Sequence, residues 1–537
     1  MRLLFTCLLG LFTLGWSQAQ TGQLWNKATT TQLSALDGVQ RDIYPEHYRA
    51  LHLDLPAVQD FLTEAPMEFT AAAKHSDLII TLPLPGEGMM DFRVVESPVM
   101  KPELAAKFPG IKTFSGVGVE DARYHTRFGY TDLGFHAIIR TPEGIAYIDP
   151  FAHQQDEIYM VYYPQDYNLE GIDLPSAKCG FEPSSDLSNV LDQLKPEDLT
   201  EPHAHEKTET QMELRVYDLA LACTGEFGAN IGNGTTSGAL SAMNVAINRV
   251  NEIIINEVAA KMEIIANNDL LIFLNSASDP YTNANVGGDL LGQNTAVITS
   301  IIPANNFDVG HVFTMACTDV GGVATPGSVC NDQIKARGVT CFFSSNIEYI
   351  AEEIMAHEMA HQFTAQHSWS NCPGNMGQLA SGTAYEPGSG STIMSYSGSC
   401  GDQNIQFGSD SYYHVGNLEE IIGFSRSGNG NTCPDVITTD NLEPTVVVPY
   451  EDDFYIPIST PFKLTAIGDD PDGDDITFCW EEYDLGPVSE IGMPVGNAPI
   501  FRTYPPTESP TRFFPRLNKV LAGISDDVEV LPTYNRD

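Results

Sequence analysis

The stretch HEMAHQFTAQH, residues 357–367, places three histidines and one glutamate close together in the chain. It continues a run of apolar residues that recur at steps of three and four: Ile347, Ile350 and Ile354. That spacing predicts a helix over about 346–363 with one apolar face. His357 and His361 follow the same steps, so we expect both imidazoles to point toward the protein body rather than into solvent.

The spacing of these residues indicates a zinc site. Two histidines four residues apart on one helical face can bind a single tetrahedral zinc ion, and Glu358, next to the first, can accept a proton from a bound water. His367 supplies a third neutral imidazole and leaves the fourth position open. The alternative, three histidines held by ordinary hydrogen bonds, accounts less well for a third histidine at this distance.

A second motif lies about thirty residues downstream, in EPGSGSTIMSY, residues 386–396. Together with the histidine motif it resembles the metzincin zinc endopeptidases, and the longer stretch is similar to the bacterial secreted branch of the reprolysin (adamalysin-like) group. The resemblance implies that His357, His361 and His367 bind zinc and that Glu358 is the general base and acid. It also implies that Met394 is the Met-turn residue beneath the metal and that Tyr396 stabilises the oxyanion. A buried Tyr396 that only supports the turn is an equally good interpretation.

Two positions depart from the family pattern. Thr364 stands where metzincins have glycine, and if that turn needs a positive φ, a β-branched residue costs about 1–3 kcal/mol there. Ser368 stands where reprolysins usually have aspartate. These departures leave two alternatives open: a secreted adhesion or binding protein whose metzincin domain is degenerate and inactive, and a gluzincin with a downstream glutamate as its third ligand.

The first residues predict an export signal over 1–19, with Arg2 before a short apolar run and a small-x-small end at residues 17–19. Of the ten cysteines, nine remain after its removal, and outside the cytoplasm an odd count predicts one thiol that does not pair. Lys178-Cys179-Gly180 is similar to the cysteine switch of reprolysin propeptides, in which a thiol blocks the open zinc position. We expect Cys179 to keep a zymogen latent, and we leave the pairing of the other eight open.

The pattern along the chain predicts separate regions. Residues 20–182 are rich in short β-type runs, such as FHAIIRTPEGIAYIDPF, residues 135–151, where two extended segments flank a Pro-Glu-Gly turn. That stretch resembles the propeptide of bacterial reprolysin-like precursors, which implies a β-rich propeptide over 20–182. Residues 183–210 lack apolar periodicity, which predicts an exposed connector suited to a maturation cut.

Residues 211–435 alternate strands and long helices, which predicts an α/β layer. Apolar residues at helical steps predict one long helix (Met243, Ile247, Val250, Ile254 and Val258), and KMEIIANNDLLIFLN, residues 261–275, predicts a strand. The family resemblance implies an α/β (α+β) metzincin domain with a twisted mixed sheet here. In residues 461–484 two alternating strands flank an aspartate-rich turn, so residues 440–537 predict an incomplete Ig-like β-sandwich module that continues beyond the sequence given.

Charge and hydropathy limit the partners. The 71 acidic and 27 basic residues give a net charge of -44, which repels nucleic acid, and no stretch after the signal is long enough to span a membrane. We expect a secreted monomer that acts on proteins or peptides. Five aspartates in one turn could bind calcium, although an acidic hairpin explains them equally well: Asp469, Asp470, Asp472, Asp474 and Asp475. His203, His205 and His414 receive no ligand role.

Overall fold

The computed structural model describes residues 24–36, 38–39, 41, 43–142, 144–152, 157–166, 179–180, 211–315, 317–450, 455–523 and 528–536. The predicted export signal, the predicted connector and the pair His203 and His205 lie outside these residues.

The N-terminal region forms a nine-stranded antiparallel sheet in the order β1-β2-β9-β8-β7-β6-β5-β4-β3. Its strands are Trp25–Lys27, Arg49–Leu53, Ile79–Pro83, Met89–Glu96, Lys112–Gly118, His125–Thr131, Gly134–Thr141, Gly144–Pro150 and Ile158–Tyr162, numbered β1 to β9, and its helices are Thr30–Ala35, Leu55–Leu62 and Pro102–Lys107. Aromatic rings fill one face, with Phe114 stacked on Phe128 at 5.3 Å between centroids. The region is β-rich, as its pattern predicts, and its role as a propeptide stays a prediction.

The second region is a six-stranded mixed sheet with helices. Strands β10 to β15 are Gln211–Cys223, Ala260–Ile264, Val309–Met315, Gly322–Ala324, Gly338–Phe342 and Asp435–Leu442, and its longer helices are Gly225–Asn230, Thr236–Val258, Gly287–Ile301 and Val415–Arg426. β10 pairs in parallel with β11 and β12, β12 pairs in parallel with β14, and β13 lies antiparallel at the edge. This is the mixed α/β architecture that the alternating pattern predicts. Beyond Ile264, however, the predicted strand gives way to a 3-10 turn at Asn268–Leu271.

The helix Thr236–Val258, called the long helix below, lies between the two sheets. The Thr235 side chain caps its start by accepting a hydrogen bond from the Gly238 amide at 3.0 Å, and the apolar positions predicted for it are buried: Met243, Ile247, Val250, Ile254 and Val258. Apolar residues from the N-terminal region, such as Met100 and Leu104, share one continuous core with this helix. The N-terminal sheet therefore packs directly on the mixed α/β region.

The described part of residues 440–537 holds four short strands in two antiparallel pairs. They are Thr445–Val447, Phe462–Thr465, Ile467–Asp469 and Thr511–Phe514, followed by a helix at Leu517–Ala522. The strand expected directly after the aspartate-rich turn is absent from this described part, where Phe478 forms only an isolated bridge to Thr507. A β-sandwich therefore stays a prediction for this region.

Of the five aspartates singled out for calcium, Asp470, Asp472 and Asp474 have oxygens within 4.8 Å of one another. Asp470 Oδ1 accepts the Asp472 amide at 2.8 Å and the Asp474 amide at 3.2 Å. This is how an aspartate organises a turn, and these exposed carboxylates carry no support for calcium.

Six of the described cysteines form three disulfides: Cys317–Cys341, Cys330–Cys433 and Cys372–Cys400. Cys179, Cys223 and Cys479 lie outside them. Cys223 is completely buried in the main core, and burial raises its thiol pKa to about 12, so it is an unreactive core residue. Within the described residues, every helix is too short or too polar to cross a membrane.

Candidate active site

The histidines lie on a helix of three consecutive parts, an α-helical turn Ile347–Ile350, a π-helical turn Ala351–Met355 and an α-helix Ala356–Gln362. We call residues 347–362 the histidine helix. The Asn346 side chain begins it by accepting a hydrogen bond from the Tyr349 amide at 3.1 Å. Single π-turns inside α-helices are rare and are frequent at functional sites. Here the π-turn directly precedes His357.

The histidine helix ends in a Schellman motif, which sends the chain back over the helix end. The Ala365 amide donates to the Ala360 carbonyl at 3.0 Å and the Thr364 amide to the His361 carbonyl at 2.8 Å. The motif needs a left-handed residue at Thr364, and its φ is 80°. Glycine is the usual residue there, so the β-branched Thr364 is strained. Its buried hydroxyl donates to the Glu420 carbonyl at 3.2 Å, which offsets part of the cost.

Each of the three imidazoles is oriented by a hydrogen bond from Nδ1 to a backbone carbonyl. His357 donates to Ile393 at 2.7 Å, His361 to Ala365 at 2.6 Å and His367 to Gln378 at 2.9 Å. The Ala365 carbonyl reaches His361 because the chain reverses at Thr364. With Nδ1 held in this way, Nε2 of each ring is the nitrogen that can bind a metal.

Burial keeps the three rings in the form that binds metals. It lowers the pKa of His357 to about 4 and that of His367 to about 3, and it places the pKa of His361 well below the ordinary value. All three are neutral at physiological pH and offer lone pairs. The Nε2 atom of His357 is buried without a hydrogen bond, which fits a metal ligand better than a structural histidine.

The thiol of Cys179 completes a cluster of four. One ring nitrogen of each histidine and the Cys179 Sγ all lie within 4.8 Å of one another, a spacing that a single cation can bridge. Three imidazoles and a sulfur form a donor set that suits zinc. Among the described residues, the structure puts no second glutamate in this cluster, so the arrangement gives no support to a glutamate as third ligand.

Glu358 is buried beside the cluster. Its Oε2 lies 3.7 Å from the Cys179 thiol, which donates to it. Burial raises the pKa of Glu358 to about 8, and the hydrogen bond from Cys179 opposes that rise. A Cβ added to Gly322 on edge strand β13 would lie 2.6 Å from the Glu358 side chain, so only glycine leaves room for this carboxylate.

Cys179 reaches the cluster by pairing with that edge strand. Cys179 bridges Gly322 in parallel, and the Gly180 amide donates to the Gly322 carbonyl at 2.9 Å. The Gln378 side chain donates to the Cys179 carbonyl from the other side. A peptide that adds to an exposed strand edge gains main-chain hydrogen bonds of this kind. The segment therefore lies where an extended peptide could reach both Glu358 and the histidines.

Met394 and Tyr396 follow the carbonyl that orients His357. Met394 is completely buried in the main core with Met359 of the histidine helix. The Tyr396 ring lies 4.6 Å from His367 between centroids, and its hydroxyl donates to Gln378 Oε1 at 2.5 Å. Tyr396 thus contacts the ligand cluster and the segment that holds Cys179, in a position compatible with either of its two interpretations.

Sequence reasoning missed two residues that organise this site. Gln378 contacts three of its parts, since it accepts from His367 and Tyr396 and donates to Cys179. Glu386 accepts five hydrogen bonds, from the Ser368 hydroxyl and from the amides and hydroxyls of Ser391 and Thr392. Glu386 belongs to the quoted motif EPGSGSTIMSY, so its place there was the available signal.

A second buried cluster joins the N-terminal sheet to the histidine helix, and no sequence pattern predicted it. We call His136, Asp149, Arg249, Glu348 and Glu352 the interface cluster. His136 Nδ1 lies 2.7 Å from Glu348 and 3.3 Å from Asp149, while Arg249 pairs with Asp149 at 2.7 Å and with Glu352 at 3.3 Å. Burial opposes protonation of His136, but the two carboxylates outweigh it and raise its pKa to about 9. The positively charged His136 and Arg249 thus compensate the acids.

The comparison with family models agrees with this site. Residues 213–420 match the family model described as Metallo-peptidase family M12B Reprolysin-like. No curated protein sequence matches the chain. Among solved structures, a crystal structure of metalloproteinase-II from Bacteroides fragilis is similar at 8% identity and a TM-score of 0.32, covering 67% of this chain and 96% of that one. A structure of a chaperone-substrate complex matches at 10% identity and a TM-score of 0.24, over 40% of this chain and 35% of that one. The matched segment contains all three histidines and Glu358, and residues 213–420 are thus similar to the reprolysin-like metallopeptidases of family M12B.

Proposed function

We propose that the protein is a secreted zinc endopeptidase made as a zymogen, with His357, His361 and His367 as metal ligands. The observation that carries the proposal is the convergence of three neutral, individually oriented imidazoles next to a buried carboxylate. Family M12B supports metallopeptidase chemistry in general. We propose in addition that the protein cleaves within peptide chains, is held latent and is secreted.

Glu358 is the proton carrier of the proposed reaction. A zinc ion at the three histidines would polarise the scissile carbonyl and lower the pKa of an attacking water. Glu358 then accepts the water proton and passes it to the leaving amine, which a carboxylate with a pKa raised by burial does well near neutral pH. The Tyr396 hydroxyl interacts with Cys179 of the cluster, and it would stabilise the developing oxyanion once Gln378 and Cys179 release it.

Cys179 keeps this site latent in the proposal. Its sulfur occupies the corner of the cluster that an attacking water needs, and its thiol contacts the general base. The same segment covers edge strand β13, which an extended substrate needs for its backbone hydrogen bonds. Cleavage in the connector 183–210 would let the segment leave, and activity would follow.

The alternative of a degenerate, inactive domain depended on Thr364. The left-handed turn forms with threonine in place, and His361 and His367 still converge with His357. The aspartate missing at Ser368 is compensated by Glu386, whose carboxylate accepts the Ser368 hydroxyl at 2.5 Å. Both departures are accommodated locally, which favours the enzyme over the degenerate domain.

The test uses the full chain with an inserted recognition site for an unrelated protease in the connector. After cleavage there, we expect bound zinc by elemental analysis and chelator-sensitive hydrolysis of a fluorogenic peptide mixture. Glu358→Ala should keep the zinc and lose hydrolysis, whereas His361→Ala should lose both. Zinc-loaded wild-type protein that cleaves no peptide above the Glu358→Ala control would support the adhesion or binding alternative.

A further inference from the structure

One carboxylate on the histidine helix has no part in the proposed chemistry. Glu353 lies four residues before His357 on the histidine helix, and both side chains line one cavity. Glu353 belongs to the π-turn, and it is only partly exposed. One of its oxygens, Oε1, accepts the Ser409 amide at 2.6 Å, which fixes the position of the carboxylate.

Glu353 lines a cavity that begins at the catalytic residues. His357, Glu358 and Cys179 form one end of the cavity, and Glu353 lies one helical turn farther along the same helix. The cavity measures about 50 Å³ with Cys179 in its wall. A whole substrate side chain could enter only after the Cys179 segment has left.

The walls of this cavity suit a long side chain that ends in a positive charge. Phe343, Tyr349 and Ile354 provide apolar surface, which packs well against the methylene stem of lysine or arginine. The aromatic rings of Phe343 and Tyr349 also attract cations. Serine hydroxyls provide the remaining polar surface, and none of the described residues that line the cavity is a lysine or arginine.

The charges around Glu353 also favour a positively charged side chain in the cavity. Burial raises the pKa of Glu353 to about 7 although the Ser409 hydrogen bonds oppose this, and the nearby acids Glu352 and Asp410 raise it further. A cation in the cavity would stabilise the ionised carboxylate. The whole chain carries a net charge of -44, which attracts basic peptides toward it and repels acidic ones.

We propose that Glu353 makes this cavity a binding site for an arginine or lysine side chain of the substrate, next to the bond that is cleaved. The inference rests on the proposed function for the identity of the ligand. Glu353 is a specificity-determining residue and takes no part in proton transfer.

The first test is a cleavage-site profile. Full-length protein carrying Cys179→Ser and cleaved in its connector is incubated with a mixed peptide library, and the products are sequenced by mass spectrometry. We expect arginine and lysine to be enriched at one position beside the cleaved bond. Glu353→Gln, which keeps an acceptor for Ser409, should lose about tenfold in kcat/KM for basic peptides and keep its rate on neutral ones. Asp402→Asn, which removes an exposed acid outside the cavity, is the matched control and should change neither.

The second test measures binding without turnover. The hydroxamates of arginine and of norleucine both bind zinc, and they differ mainly in the charged end of the side chain. We expect the arginine compound to bind the zinc-loaded, connector-cleaved protein carrying Cys179→Ser and Glu358→Ala about tenfold more tightly than the norleucine compound, and the two to bind equally when Glu353→Gln is added.

The outcomes separate this inference from the proposed function. Cleavage without basic preference, or equal binding of the two hydroxamates, would overturn the assignment of Glu353 and leave the peptidase proposal intact. A preference for the arginine hydroxamate that depends on Glu353, in a protein that cleaves no peptide, would support the cavity assignment and overturn the peptidase proposal.

Discussion

Replacing Glu386 tests how the third ligand is held in place. This carboxylate is 1% exposed and joins two segments, the one that begins at Ser368 directly after His367 and the Met-turn segment 391–394. Oε1 accepts the Ser391 amide at 2.7 Å and the Thr392 amide at 3.2 Å, and Oε2 accepts the Ser368 and Thr392 hydroxyls at 2.5 Å each. Every one of these groups donates to the carboxylate, which is why an ionised side chain suits the position.

The magnitude follows from what each substitution leaves behind. Glu386→Ala removes the acceptor of two buried backbone amides, each of which then costs about 1–3 kcal/mol, so we expect about 3–5 kcal/mol of destabilisation. In Glu386→Gln the amide oxygen can still accept from both backbone amides. Its NH2 group faces two hydroxyls, which can rotate to accept. The loss should then be about 1–2 kcal/mol, the difference between charge-assisted and neutral hydrogen bonds.

The assay is urea unfolding of the full-length protein followed by tryptophan fluorescence, since Trp369 lies completely buried beside the site. Zinc affinity is measured on the same proteins by competition with a chelator, and it should fall about 10–100-fold in Glu386→Ala because the carboxylate orients a ligand-bearing segment. Glu490→Gln, at an exposed acid, is the control. The reasoning is refuted if Glu386→Ala costs less than about 1 kcal/mol, or if the alanine and glutamine variants are equally destabilised.

Three other predictions concern latency, pH and backbone strain. Cys179→Ser in the uncleaved precursor should raise peptidase activity above the wild-type precursor, and identical rates would contradict a blocking thiol. Asp149 and Glu348 raise the pKa of His136 from 6.5 to about 9. The protonated ring therefore contributes fully to precursor stability below pH 6.5, and that contribution is lost as the pH rises through about 9. Thermal unfolding of His136→Gln should lack this part of the pH dependence. Thr364→Val keeps the backbone strain and loses the hydrogen bond, so we expect it to lower the free energy of unfolding by about 1–2 kcal/mol. Thr364→Gly relieves the strain, and its free energy of unfolding should stay within about 1 kcal/mol of wild type. Unfolding measurements in which the glycine variant is the less stable of the two would argue against a strained turn.

Local periodicity accounts for what could be predicted of the fold. The long helix and the histidine helix were predicted because each buries one face, so their apolar residues recur at helical spacing. The strands Gly134–Thr141 and Gly144–Pro150 form on either side of the predicted turn. The strand predicted beyond Ile264 failed because an apolar run without clear alternation does not distinguish a strand from a buried turn.

Contacts between distant segments could not be predicted from local periodicity. The interface cluster joins side chains from β7, β8, the long helix and the histidine helix, and no spacing within one segment encodes their meeting. The pairing of the eight remaining cysteines was likewise left open by the sequence, and the fold places the Cys223 thiol in the apolar core, away from the three disulfides.

The chemistry of the candidate site follows from the amino-acid sequence alone, because the pitch of one helix brings His357, Glu358 and His361 together. Features that depend on long-range packing were settled by the folded protein. It brings His367 back through the left-handed turn at Thr364, and it orients each ring with a carbonyl from another turn. It also places Cys179 at the fourth corner from a segment far away in the chain. A helix fixes neighbours three and four residues apart, whereas longer separations are fixed only by the packing of the whole fold.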